Sequence, residues 1–199
     1  ITSNNGLVLN HSKSHKSLIE LNYDEVKKDI IENQLKIEQN LGSQPKIFSY
    51  PYGESNLKIE SIVKELNYQI AFSQHSSPIN KKLMKFRLPR FSINDEFGDL
   101  ERFKLILKTK PMILSEKNFN DTLVFSESLK MSFKTKLSSK KINCFINNSA
   151  LLQKENNLNN EFTLFIKNLR IGLRYRINCT HVDKDGDVFW FGKMIKRMS

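Results

Sequence analysis

The chain is 199 residues long with 39% hydrophobic and 27% charged side chains, enough apolar surface to close a sizeable core in one or two domains. No apolar run approaches the ~20 residues that a membrane-spanning helix needs. The net charge of +11 raises nucleic acid as a partner. However, Lys27-Lys28, Lys81-Lys82, Lys140-Lys141 and Lys196-Arg197 are short, separated pairs with no nucleic-acid motif beside them. The excess therefore reads as solvated surface, with attraction to anionic glycans or lipids as the lesser alternative.

In chain order, the apolar run Gly6-Leu7-Val8-Leu9 feeds Asn10-His11-Ser12-Lys13-Ser14-His15. Histidines at i and i+4 present both imidazoles to one ion if the backbone makes a single helical turn. Such a spacing is common by chance, and a zinc site needs a third protein ligand, of which no obvious one lies nearby. A helix follows, with Asn22 as N-cap and Glu25 three residues on to complete a capping box. Val26, Ile30, Ile37 and Leu41 form its apolar stripe, interrupted by Gln34 and widened by Leu35. Gly42 is placed to end it in a left-handed conformation.

Lys46-Ile47-Phe48-Ser49-Tyr50 reads as a strand whose regular pairing ends at Pro51, which lacks an N–H. The loop Tyr52-Gly53-Glu54-Ser55 then falls at the strand's C-terminal end, where α/β proteins collect catalytic loops. An amphipathic segment from Leu57 to Leu66 leads into a second strand, Gln69 to Ser73, and gives a β-α-β-α rhythm. From about Pro111 the chain turns to short alternating runs typical of an antiparallel sheet: 129–134, 142–146, 162–166 and 174–179. Asp183-Lys184-Asp185-Gly186-Asp187 reads as a hairpin turn rather than a calcium loop, because no glutamate follows at the required distance. Val188 to Phe191 would then pair back onto Arg174 to Cys179.

The ordered pair of motifs, His11-Ser12-Lys13-Ser14-His15 and then Tyr50-Pro51-Tyr52-Gly53, resembles the polysaccharide deacetylases of the NodB-homology type, carbohydrate esterase family 4. The resemblance covers roughly residues 1–110. It implies that His11 and His15 hold Zn2+ or another divalent transition metal. It casts the Tyr52 backbone N–H as an oxyanion donor, and Tyr50, Pro51 and Gly53 as part of a substrate-groove wall. His75 or Gln74, just after the second strand, is read either as a loop residue or as a contact to a sugar hydroxyl or acetyl group. Leu88-Pro89-Arg90-Phe91 would close the same rim, with Arg90 turned inward.

The sequence departs from the family pattern in three places. Ser49 stands where the family has arginine, with Arg87 and Arg90 as candidates to replace its charge. The family's Asp-Asp pair, base and third ligand, would lie upstream of Ile1. The Leu-x-His motif of its general acid is absent downstream, as in a subgroup acting on poly-N-acetylglucosamine whose motifs are permuted. The start at Ile1, directly before the first motif, suggests the C-terminal portion of a longer enzyme.

The implied fold class is α/β: part of a distorted (β/α) barrel over 1–110, followed by a small antiparallel β-sandwich over 111–199. The tail's Arg176-Ile177-Asn178-Cys179-Thr180 resembles an extension carried by environmental polysaccharide deacetylases. Its Trp190 is either core or a platform for a sugar ring. Cys144 and Cys179, the only cysteines, lie on strands that can bring them into disulfide reach. A bond would suit a periplasmic or extracellular site, and two buried thiols a cytoplasmic one. The implied function is metal-dependent removal of N-acetyl groups from an amino-sugar polysaccharide. The rival is a non-catalytic glycan-binding or scaffold relative.

Overall fold

A computed structural model of the chain describes residues 6–80, 84–117 and 121–199; the Lys81-Lys82 pair lies outside the described residues. The chain divides into two compact units. By its described residues the first comprises 6–74 and 84–89, and the second comprises 75–80 and the rest from Arg90 onward.

In the first unit, α1 (Tyr23–Leu41) begins at a complete capping box. The Asn22 side chain accepts from the Glu25 N–H at 3.0 Å, and the Glu25 carboxylate accepts from the Asn22 N–H at 2.9 Å. Gly42 closes the helix at φ 71°, as the C-terminal signal predicts. The buried face is Val26, Ile30 and Gln34, one residue per four. Leu35 and Leu41 instead lie on the exposed side, at 51% and 40% exposure. Gln34 takes the core position because polar partners, Asn10 and Tyr68, wait for it there.

Strands β1 (Ile47–Ser49) and β2 (Ile70–Phe72) pair in parallel, Phe48 opposite Ala71. The helix α2 (Leu57–Glu65), capped by the Asn56 side chain on the Ile59 N–H at 2.8 Å, connects them. Bridges Asn10–Phe48 and Phe72–Leu88, both parallel, continue the sheet by one passage on each side. The core between sheet and helices is Leu18, Val26, Ile30, Phe48, Tyr50, Ile59, Ile62, Val63, Tyr68 and Ala71.

The second unit opens with α3 (Leu100–Lys108), capped by Asp99. One sheet contains β3 (Lys110–Pro111), β5 (Leu123–Val124), β7 (Asn143–Ile146), β10 (Arg174–Val182) and β11 (Val188–Arg197). Its central order is β3-β11-β10-β7, with β5 also on β11. The other runs β4 (Leu114–Glu116), β6 (Leu129–Thr135), β9 (Glu161–Lys167) and β8 (Leu151–Asn156) in that order. The β10–β11 hairpin turns at 183–187: the Asp183 carboxylate accepts the N–H groups of Asp185 and Asp187, and Gly186 supplies a φ of 82°.

Both sheets line one apolar core: Met131, Phe133, Phe162, Leu164 and Ile166 from one, Tyr175, Ile177, Cys179 and Ile195 from the other. At its edge the Lys193 ammonium meets both Glu116 oxygens at 2.8 Å, an ion pair joining β11 to β4. Cys144 and Cys179 are directly opposite on β7 and β10 and form a disulfide. The bond therefore ties two neighbouring strands of one sheet.

Candidate functional site

Strand alternation separates two jobs along Asn10-His11 and Phe48-Ser49. Asn10 and Phe48 turn toward α1 and are buried, at 1% and 0% exposure. His11 and Ser49 are the next residues. The Asn10 carbonyl accepts the Ser49 N–H at 3.0 Å, and the Ser49 carbonyl lies 2.6 Å from His11 Nδ1. A carbonyl only accepts, so His11 Nδ1 carries a proton and Nε2 is the nitrogen turned away from this bond.

The stretch from His11 to His15 is not a helical turn. Ser12 takes φ 66° and His15 φ 54°, and the Ser12 hydroxyl accepts the His15 N–H at 3.1 Å. Two left-handed residues thus bring the rings together where one helical turn was expected to do so. Their centroids are 4.9 Å apart, at 71° between planes. Two imidazoles bound to one ion at Zn–N distances of about 2 Å have ring centres about 5 Å apart, a spacing this edge-on pair shares. Among the described residues no group of three or more His, Cys, Asp or Glu side chains converges on a metal position. The two rings alone do not make up a metal-ligand set.

Tyr52 packs its ring against His15, centroids 4.8 Å apart. It sits in a tight turn, with φ 57° at Tyr52 and 69° at Gly53. A Cβ at Gly53 would overlap the Gln74 backbone, so only glycine fits there. The Gly53 N–H donates to the Tyr50 carbonyl at 2.9 Å, and the Ser73 hydroxyl donates to the Gly53 carbonyl at 2.6 Å. The Ser17 hydroxyl bonds the buried Glu54 carboxylate, tying the histidine loop to the tyrosine loop.

Tyr50 and Pro51 are buried behind this turn. The Tyr50 hydroxyl donates to the Phe86 carbonyl at 2.9 Å, and burial, with the nearby Glu60 carboxylate second, pushes its pKa well above that of a free tyrosine. Glu60 is paired in turn with Arg87: Nη2 lies 2.5 Å and Nε 2.6 Å from Oε1, both side chains buried. The charge of Arg87 is thus directed at Glu60. Ser49 Oγ is buried and has no hydrogen-bond partner among the described residues.

His75 and Arg90 belong to the second unit, where the Arg90 N–H donates to the His75 carbonyl at 3.1 Å. His75 is buried. The same stretch lies on β11: Ser77 Oγ donates to the Trp190 carbonyl at 3.3 Å, and a Cβ at Gly192 would overlap the Ser76 carbonyl. Trp190 is half-buried, donates Nε1–H to Asn178 Oδ1 at 3.0 Å and meets Phe91 edge-on.

In the first unit, then, two imidazoles and a tyrosine turn meet at the C-terminal ends of parallel strands, the end at which such sheets place ligand-binding loops. Residues 3–71, the stretch that holds all of these, match the family model described as polysaccharide deacetylase. That stretch is similar to a family of hydrolases whose substrates are carbohydrates. No curated protein matches the chain. Among solved structures the chain is similar to murine CRIg at 12% identity, over 43% of this chain and 95% of that one, with a TM-score of 0.28. No helix among the described residues is long and apolar enough to cross a membrane.

Proposed function

We propose that the chain is part of a metal-dependent polysaccharide deacetylase, hydrolysing N-acetyl groups of an amino-sugar polymer. The observation that carries this reading is the contact of His11, His15 and Tyr52 within one cluster of rings, inside the stretch that matches the family. His11 through Nε2, and His15, would hold zinc or another divalent transition metal. Such an ion, when bound, supplies Lewis acidity toward the acetyl carbonyl and toward water. His11 is held in the ligating tautomer by the Ser49 carbonyl. The Tyr52 turn would present backbone N–H to developing negative charge, and Gly53 lets that turn pack against the Gln74 backbone. Tyr50 and Pro51 support the wall from behind.

The family's Asp-Asp dipeptide, its base and third ligand, does not occur in the 199 residues. The Cys144–Cys179 bond supports a periplasmic or extracellular location. The chemistry is tested by acetate release from N-acetylglucosamine oligomers, using a protein extended upstream of Ile1, with and without zinc. Zinc-dependent release that His11→Ala reduces by at least about a hundredfold is the expected result. A second reading, a glycan-binding relative without chemistry, is favoured by one observation: Ser49 replaces the family's arginine while Arg87 is paired with Glu60. It predicts no acetate release with oligomer binding intact.

A further inference from the structure

We infer that Asn10, backed by Gln34 and Tyr68, is the positioning residue of the two-histidine site, and that this buried polar network sets the ring orientation of His11. The inference builds on the reading of His11 and His15 as ligands, but its principal test does not require metal.

Position 10 lies on the core face of the sheet, 1% exposed and beside Phe48 and Ile30, where an apolar side chain would be the simplest occupant. A buried carboxamide costs free energy unless its donors and acceptor are all matched. Here they are. Asn10 Nδ2 donates to the Ile30 carbonyl at 2.9 Å, with Tyr68 Oη at 2.6 Å and Gln34 Oε1 at 3.2 Å also in reach. Asn10 Oδ1 accepts from the Ser12 N–H at 3.0 Å and from Asn33 Nδ2 at 2.9 Å. The orientation of the amide is fixed by partners of one kind only, a backbone N–H on one side and a backbone carbonyl on the other.

Behind Asn10 the Tyr68 hydroxyl donates to Gln34 Oε1 at 3.0 Å, and Gln34 Nε2 donates to Glu38 at 2.8 Å. Gln34 occupies the very position on α1 that the helix's apolar stripe would give to a leucine. Three separate stretches therefore place polar groups at one point of a core that apolar groups would fill at lower cost.

The network acts on both ligands. By accepting the Ser12 N–H, Asn10 turns the chain sharply after His11 and holds Ser12 at φ 66°. Ser12 Oγ in turn accepts the His15 N–H. The side-chain bonds also hold the main chain of Asn10, whose backbone carbonyl accepts the Ser49 N–H, and the Ser49 carbonyl meets His11 Nδ1. The outer side of the same loop is pinned separately, by Asp29 accepting from the Lys13 and Ser14 N–H groups at the exposed surface. Asn10 is thus the inner anchor, one relay from each imidazole. Outer contacts of this kind hold ligand geometry to a fraction of an ångström.

The test uses the full 199-residue chain and two variants. Tyr68→Phe keeps the ring and removes only the hydroxyl; Asn10→Ala removes the node. Long-range 15N–1H NMR at about pH 8 reads the His11 tautomer, and a chelator competition reads Zn2+ affinity. In the native protein His11 should show a single Nδ1–H tautomer. In Asn10→Ala it should become a mixture, with zinc affinity falling about ten- to a hundredfold. Tyr68→Phe should shift the same signals in the same direction by less. An unmoved His11 tautomer in the folded variants overturns the inference, whatever zinc does; if Asn10→Ala does not fold, Tyr68→Phe decides. A tautomer that responds in a chain that takes up no zinc leaves the positioning role standing and removes the metal reading.

Discussion

Tyr50 and Tyr68 are the residues whose chemistry burial changes most. Both hydroxyls are held inside the first unit, and burial is the first cause that raises both pKa values. In the unfolded chain a tyrosine releases its proton near pH 10. Above that pH the unfolded state binds fewer protons than the native one, so stability must fall as pH rises, up to the native tyrosines' own raised values. Below pH 10 both states are protonated and these residues contribute no pH dependence. We expect urea-unfolding free energy to decline more steeply above about pH 10 in the native protein than in Tyr50→Phe. Equal slopes would show that Tyr50 is not held neutral by its surroundings. The same burial explains why Tyr50 supports the site from behind, while Tyr52, two residues on and 40% exposed, faces His15.

At the level of elements, local signals decided what was legible. The first helix carries its own limits, a capping box and a glycine, and both ends of α1 fall where those residues put them, although Gly42 reaches positive φ with an extended ψ of −168° rather than the left-handed helical one. Asn22→Ala should therefore cost about 1 kcal/mol in a denaturant titration. Leu35→Ala, on the exposed side, should stay within about 0.5 kcal/mol. A large loss from Leu35→Ala would mean that it is covered after all. The inner face was harder to read because Gln34 answers to Asn10 and Tyr68, 24 and 34 residues away, and no helical periodicity records such partners. The helix α3 was not anticipated, although Asp99 caps it and Leu100, Phe103 and Leu107 share a face. None of its residues is buried, so its stripe is not matched by a core. His11, His15 and Tyr52 were legible as a site because each pair of contacts forms within or between short motifs. The supporting network was not, because it is assembled from residues 10, 34 and 68.

Among the described residues there are two separate apolar cores and one covalent cross-link, which belongs to the second unit. Cys144 and Cys179 are 35 residues apart, and closing a loop of that size restricts the unfolded chain by about 3–4 kcal/mol in the entropic account. Trp190, the chain's one tryptophan, stands on β11 beside the bonded strand β10 and reports on this unit. Reduction should lower the unfolding midpoint seen by Trp190 fluorescence; an unchanged midpoint would show that the bond adds no stability.

The path of the chain between the units has its own consequence. Residues 75–80 pack with the second unit, where Ser76 and Ser77 lie against Gly192 and Trp190, before the chain returns to the first unit and leaves it again after Pro89. The chain therefore passes from one unit to the other three times. A nick by a protease within residues 84–89 would yield two pieces that remain clasped, because the N-terminal piece keeps its 75–80 segment seated on β11. Anyone wishing to produce the β-rich unit by itself has to carry that short segment along, for instance by rejoining it through a circular permutation.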